Sequence, residues 1–330
     1  MLNVLDAPPR DLFDLPARGL HERLGGPTLF RVPGTDTDAL FVSTLLHGNE
    51  TSGWTALCRL MLDPPENMRP LVVFVGNPAA AAADLRHLPE QPDFNRIWQH
   101  AAPPHRALAE HVLQEASAQP LFAAVDLHNN TGRNPHYSVV TSHDPSHLRL
   151  AYLFSDKAVL VEEPDTVLSR ALQALCPSIA VEVGPIRDPQ SDALAEDLLR
   201  RAVVADQLPE DTFGLTLYKA LARVHIPEDV DFSFGETTAP LTLTGGMEAV
   251  NFHPVPAHTE FGHSALPLQH ALNVLDPNHA DVTDRFFYED GASLRLRKAV
   301  VPAMYTTDPE VVRQDCLCYL MAPIEGGADR

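Results

Sequence analysis

Short apolar runs recur through the first two-thirds of the chain, separated by stretches with a different period. "ALFVSTLL" (39–46), "LVVFVGN" (71–77), "FAAVDLH" (122–128), "YSVVTS" (137–142), "AVLVE" (158–162) and "SIAVEVG" (178–184) read as buried strands. Between them, "TSGWTALCRLML" (51–62), "RALAEHVLQEAS" (106–117) and "DALAEDLLRRAVVADQ" (192–207) carry apolar residues at helical spacing. This alternation predicts a mainly parallel or mixed sheet covered by helices. One segment breaks the rhythm. "AAAAADLRHLPEQPDFNRIWQHAAPPH" (79–105) is alanine-rich, then interrupted by prolines, with no strand period, as long functional loops are. From about residue 225 the texture changes to short strands among prolines, glycines and threonines, such as "PLTLTGG" (240–246), "SLRLRKAVV" (293–301) and "CLCYLM" (316–321). Strands without intervening helices predict a separate small β domain. The expected division is an α/β catalytic domain over 1–222 and a C-terminal β domain over 223–330.

Composition narrows the partners. The chain has 330 residues, 44 acidic against 24 basic, and a formal net charge of −20. A nucleic acid or an anionic membrane surface needs a basic footprint, so both are excluded as expected partners. An anionic small molecule needs only a local arginine cluster and stays open. No run reaches the ~18 apolar residues of a membrane-spanning helix. The N-terminal "MLNVLDAPPRDLFDLP" has acids and prolines where a signal peptide needs a basic start and an unbroken apolar stretch. A cytoplasmic location is the expectation. The four cysteines, Cys58, Cys176, Cys316 and Cys318, suggest no disulfide framework, and Cys316 with Cys318 reads as two thiols on one face of a strand rather than a zinc knuckle.

The candidate chemistry lies where three of these strands stop. "TLLHGNE" (44–50) ends an apolar run on His47 and Glu50; "DLHNNTG" places His128 at the end of the 122–128 strand; "VEVGP" places Glu182 near the end of the 178–184 strand. Sites in open α/β sheets gather beyond the carboxyl ends of strands. Two imidazoles and one carboxylate make a three-ligand zinc site with an open position for water, and a remaining carboxylate then serves as general base. Asp126, two residues before His128, is placed to accept from that histidine's other ring nitrogen. The proline-broken segment supplies Arg86, Asp93, Asn95 and Arg96. One arginine near the metal would polarise a scissile carbonyl, and a second would grip a substrate carboxylate through its planar fork. The plain alternative for Arg96 is a loop staple to Asp93.

Taken together and in order, "HGNE", "GNP…R…DFNR", "DLHNNTG" and "VEVGP" resemble the succinylglutamate desuccinylase/aspartoacylase family, a branch of the zinc-carboxypeptidase-like fold. The motifs cover residues 44–185. The resemblance implies a zinc-carboxypeptidase-like mixed sheet flanked by helices, with a smaller C-terminal β domain bordering the active-site mouth. It implies one zinc ion per chain on His47, Glu50 and His128, Glu182 as catalytic base, Arg86 at the carbonyl, and Asn95 with Arg96 on the substrate carboxylate. From "YEDGASLRLRKAVVPAMYTT" (288–307) it points to Tyr305 as a substrate contact, and by a looser match to Arg170. "DFN" stands where the family commonly has "DLN", and Ile186-Arg187 follows "EVGP", so Arg187 becomes a candidate for shaping the pocket. The implied activity is hydrolysis of the amide bond of a small anionic N-acyl amino acid. Two rivals stand beside it: a zinc carboxypeptidase acting on peptides or cell-wall fragments, and a non-catalytic zinc-binding module, against which Glu182 argues because a closed structural site needs no base. The acyl group, and whether the chain forms a homo-oligomer, are left open by the sequence.

Overall fold

The computed structural model describes residues 1–162, 165–236 and 239–324. The chain divides into two compact units, one built from residues 1–129 and 136–216, the other from 130–135 and the described residues after 216. No helix among the described residues is long and apolar enough to cross a membrane.

Among the described residues the first unit holds eight strands: β1 (Asn3–Leu5), β2 (Thr28–Val32), β3 (Ala39–Thr44), β4 (Leu71–Val75), β5 (Leu121–Asn130), β6 (Tyr137–Val140), β7 (Lys157–Leu160) and β8 (Ser178–Pro185). Their order in the sheet is β1-β2-β4-β3-β5-β8-β6-β7. The sheet is mixed. β3 runs parallel to both β4 and β5, whereas β2 is antiparallel to β4 and β6 to β8. The α-helices that accompany it among the described residues are α1 (Leu20–Leu24), α2 (Ser52–Leu62), α3 (Pro78–Ala83), α4 (His105–Ala116), α5 (Pro145–Phe154), α6 (Leu168–Leu172) and α7 (Pro189–Val204). Every residue of β3 and β4 is buried, as expected of strands covered on both faces. Phe41, Val72 and Phe74 pack with Leu108 and Val112 of α4 and Leu168 of α6 in one apolar cluster.

The observed strands of this unit lie close to the predicted ones with two additions, and helices α1, α3, α5 and α6 were not predicted. β1 and β2 come from the proline-rich N-terminal stretch, where "TLFRV" is too short to show a period. β3 stops at Thr44, two residues before its apolar run ends, because Leu45 takes a positive φ of 57° and turns the chain. That turn is what presents His47, Gly48, Asn49 and Glu50 together.

The second unit starts at Leu217 rather than 223, since β9 (Thr216–His225) pairs antiparallel with β13 (Asn273–Leu275) and β17 (Cys318–Pro323). β16 (Val301–Ala303) pairs with β17. A separate five-stranded sheet runs β10 (Phe232–Phe234), β11 (Leu241–Leu243), β12 (Glu260–Ser264), β15 (Ser293–Leu296), β14 (Phe287–Asp290). Three short helices interrupt these strands: α8 (Leu268–Ala271), α9 (Thr283–Phe286) and α10 (Pro309–Gln314). The last follows from local chemistry, with Pro309 in the first turn and the Asp308 side chain accepting from Glu310 N–H at 2.9 Å. Residues 130–135 join this unit through Asn134, whose side-chain oxygen accepts from Met304 N–H at 2.8 Å. All four cysteines are free and buried. The last six residues assigned to the C-terminal domain lie outside the described residues.

Candidate metal centre

The turn after β3 brings two side chains onto a third. His47 Nδ1 lies 2.8 Å from Glu50 Oε1, and His128 Nδ1, near the end of β5, lies 2.8 Å from Glu50 Oε2. One ligand atom from each of the three residues falls within 4.8 Å of the others, and all three residues are buried. The outer ring nitrogens are also held. His47 Nε2 is 3.0 Å from Asp93 Oδ1, and His128 Nε2 is 2.9 Å from Asp126 Oδ2. A carboxylate behind an imidazole fixes its tautomer and aims the opposite nitrogen. Asp126 therefore occupies the place expected of it, and Asp93 does the same for the other histidine.

Gly48 makes this turn possible. A Cβ there would sit 2.2 Å from Ala81 N and 2.3 Å from the Ala80 carbonyl carbon, so the ligand turn lies directly against α3. Gly48 N–H also donates to the Arg86 carbonyl at 3.0 Å, tying the ligand turn to the loop after α3. That loop leads to Asp93, whose Oδ1 accepts from Asn95 N–H at 2.7 Å and starts the tight turn Phe94–Arg96. Phe94 is buried in the apolar core, and its carbonyl accepts from Trp98 Nε1 at 2.9 Å. Phenylalanine in place of leucine thus adds packing to the loop's anchor.

Arg86 Nη2 donates to Asp93 Oδ2 at 2.9 Å, and its Nη1 lies 3.7 Å from Glu50 Oε1. Arg86, not Arg96, is the partner that staples Asp93. Arg96 instead donates from Nη1 to the Asn95 carbonyl at 2.9 Å. Asn95 is buried; its Oδ1 accepts from Leu168 N–H at 3.1 Å, and its Nδ2 lies 3.4 Å from His128 Nε2. Arg170 in α6 donates to the Thr141 carbonyl at 2.6 Å, which fixes it beyond the end of β6. Arg187, at a positive φ of 62°, pairs with Asp84 in the loop after α3. Tyr305 belongs to the second unit. Its ring is fully buried against Phe234 and Phe261, its hydroxyl has no partner, and Asn251 brackets its backbone with two 3.0 Å hydrogen bonds.

The electrostatics follow from burial. Desolvation would raise the Glu50 carboxyl, but the attraction of His47 and His128 and their hydrogen bonds outweigh it and hold the group far below the usual carboxylate range. Asp93 behaves likewise: His47, Arg86 and Arg96 overcome the cost of its burial. Burial likewise opposes the charge on His128, yet Asp126 and Glu50 raise it well above an ordinary imidazole. Glu182, on β8, differs from its neighbours. Part of its side chain remains accessible, but Oε2 is buried without a partner, and burial raises the carboxyl to about 8.

These donors fit a divalent cation. With both imidazoles neutral, as ligands must be, the carboxylates of Glu50, Asp93 and Asp126 still outnumber the guanidinium groups of Arg86 and Arg96. Two imidazole nitrogens and one carboxylate oxygen are also the donors of three-ligand hydrolytic zinc sites. Asn129 is the residue that the sequence reading passed over. It follows His128 directly, and its N–H donates to Glu50 Oε2 at 3.2 Å. The run of two asparagines after the histidine was its one visible signal.

Residues 36–206 match the model of the succinylglutamate desuccinylase/aspartoacylase catalytic domain. No curated protein matches the chain in sequence. Among solved structures, the succinylglutamate desuccinylase/aspartoacylase of Rhodobacter sphaeroides is similar with a TM-score of 0.57 at 14% identity, covering 89% of this chain and 88% of that one. Murine aminoacylase 3 gives a TM-score of 0.54 at 16% identity, covering 88% and 96%. The product-bound ectoine utilization protein EutE of Ruegeria pomeroyi gives 0.56 at 15% identity, covering 90% and 88%.

Proposed function

Because the chain belongs to the succinylglutamate desuccinylase/aspartoacylase family, we propose that it is a zinc-dependent hydrolase that removes the acyl group from a small anionic N-acyl amino acid. The observation that carries this reading is the convergence of His47, Glu50 and His128 in one buried cluster, with an unpartnered Glu182 oxygen on a neighbouring strand end. A zinc ion held by those three residues supplies the positive charge that polarises an amide carbonyl and makes water acidic near neutral pH.

The chain's own groups do the rest. Glu182 takes the proton from the attacking water and returns it to the leaving amine. Arg86 places a permanent charge beside Glu50, where a developing oxyanion is stabilised. Asp93 and Asp126 keep the two imidazoles in the tautomer that leaves Nδ1 free as a ligand. Asn95 and Arg96 are the carboxylate-binding pair. Both are fixed by backbone contacts, and Arg96 engages only one of its terminal nitrogens with the Asn95 carbonyl. Arg170 is a further substrate contact.

The test is a hydrolysis screen of zinc-reconstituted protein with N-acetyl, N-succinyl and N-formyl amino acids against short peptides. Release of a free amino acid from one N-acyl series is the expected result. Cleavage of peptides alone would make the protein a carboxypeptidase, and a zinc-loaded protein inert toward both panels would end the enzymatic reading.

A further inference from the structure

Asn129 makes more polar contacts than a residue on an interior strand needs. Strand alternation sends its side chain to the face opposite His128, where it is buried. Its Nδ2 lies 3.0 Å from Ser52 Oγ, 3.0 Å from the Gly184 carbonyl and 3.2 Å from the Pro185 carbonyl. Its Oδ1 accepts from Ser52 N–H at 3.2 Å. The amide cannot be reversed, because that would aim an oxygen at two carbonyl oxygens. One buried side chain therefore joins the start of α2, just after ligand Glu50, to the end of β8, just after Glu182. The β8 end is itself constrained. Gly184 has a φ of +122°, and a Cβ there would meet Ser191 Oγ at 2.6 Å.

We infer that Asn129 is a positioning residue, whose amide holds the strand end carrying Glu182 in register with the metal-ligand turn. The inference rests on the reading of Glu182 as general base. The base must stand within hydrogen-bond reach of a water that the ligands locate, and those two parts come from separate strands. Burying one donor against the Gly184 and Pro185 carbonyls ties the strand end to the amide, because leaving any of these groups unpaired is costly. The other buried partner, Ser52, secures the opposite end of the bridge.

The test compares wild type with Asn129→Asp, which keeps the shape and the acceptor for Ser52 N–H but turns a carboxylate on the Gly184 and Pro185 carbonyls. Asn129→Ser, with one short donor, is the second variant and stands in if the first does not fold. The expected result is a kcat lower by about 10²-fold on the best substrate of the screen, since a ~1 Å misplacement of reacting groups costs that much. KM should change little, and chelator competition should show less than the 10–100-fold loss of zinc affinity that follows removal of a group orienting a ligand. Amide exchange across residues 178–188 of the zinc-loaded variant should accelerate, with Asn129→Ser between the two extremes. Unchanged exchange at 178–188 would overturn the inference, as would a rate loss wholly matched by loss of zinc. If Glu182→Gln stays active, the base assignment falls separately, while accelerated exchange in Asn129→Asp would still support the hold on the strand end.

Discussion

Two polar clusters in this chain use the same residue types and differ in almost everything else. In the first unit, His47, Glu50, His128 and Asp126 have side-chain exposures between 2 and 7%. On the five-stranded sheet of the second unit, Arg295, Glu260, His263 and Asp290 form a ladder with exposures between 29 and 66%. Arg295 donates to Asp290 at 3.0 Å and to Glu260 at 3.1 Å, distances as good as those in the buried cluster. Hydrogen-bond length therefore does not mark a site. What separates the two is that the buried groups cannot exchange partners with water, so their charges must be balanced locally, and Glu50 and His128 are driven far from their ordinary ranges.

The sharpest way to break the contrast is to remove a proposed ligand. His128→Ala should lose most of its zinc and, with it, essentially all hydrolysis, as metal analysis and the N-acyl assay would show; full zinc occupancy in the variant would refute the ligand assignment. Next, Glu182→Gln should retain zinc and lose about 10²–10⁴-fold in kcat, the worth of general-base assistance. The same variant tests the electrostatics in chelated protein. There the folded carboxyl holds its proton up to about 8, while the unfolded chain releases it near the ordinary value of 4.5. The folded state thus binds more protons between those values, so wild-type stability should fall as pH rises through that window. Thermal melts of chelated Glu182→Gln should show a weaker fall, and identical pH profiles would mean that the carboxyl is not raised.

A smaller effect is expected at the edge of the cluster. Arg96→Ala should cost on the order of 1.5–3 kcal/mol in transition-state binding, or about one to two decades in kcat/KM. A substrate and its neutral carboxamide analogue make the comparison specific: wild type should prefer the acid, and the variant should lose most of that preference. Arg96→Lys should recover only part, because an ammonium cannot form the bidentate fork. Smallest of all, Arg295→Ala in the exposed ladder should change stability by no more than about 1 kcal/mol in urea unfolding. A larger loss there would erase the distinction between the two clusters.

How much of this was legible beforehand depended on how local the signal was. His47, Glu50 and His128 were visible because each closes an apolar run, and the run itself reports the strand. The strands β3, β4, β5 and β8 were visible for the same reason. The pairing of Asp93 was not, because the loop from 84 to 104 has no period to fix where a side chain points. Only the folded loop shows Asp93 turned toward His47 and Arg86, with Arg96 left to the Asn95 carbonyl. β2 was missed because five residues cannot display a repeat amid prolines. Residues 130–135 were assigned to the first domain by chain order, and nothing local reveals that Asn134 bonds to Met304 across 170 positions.

The close seat of the "HGNE" turn on α3 also explains a feature of the sequence that looks like low complexity. Ala80 and Ala81 face a glycine whose missing Cβ would otherwise overlap them, so positions 48, 80 and 81 share one small volume. A library randomised at all three should return only glycine at 48 among folded clones, because the overlap is with the α3 backbone and no loss of size at 80 or 81 removes it. Within the alanine run of 79–83, Ala80 and Ala81 are then a record of steric crowding, whereas Ala82 and Ala83 are exposed and answer to no such limit.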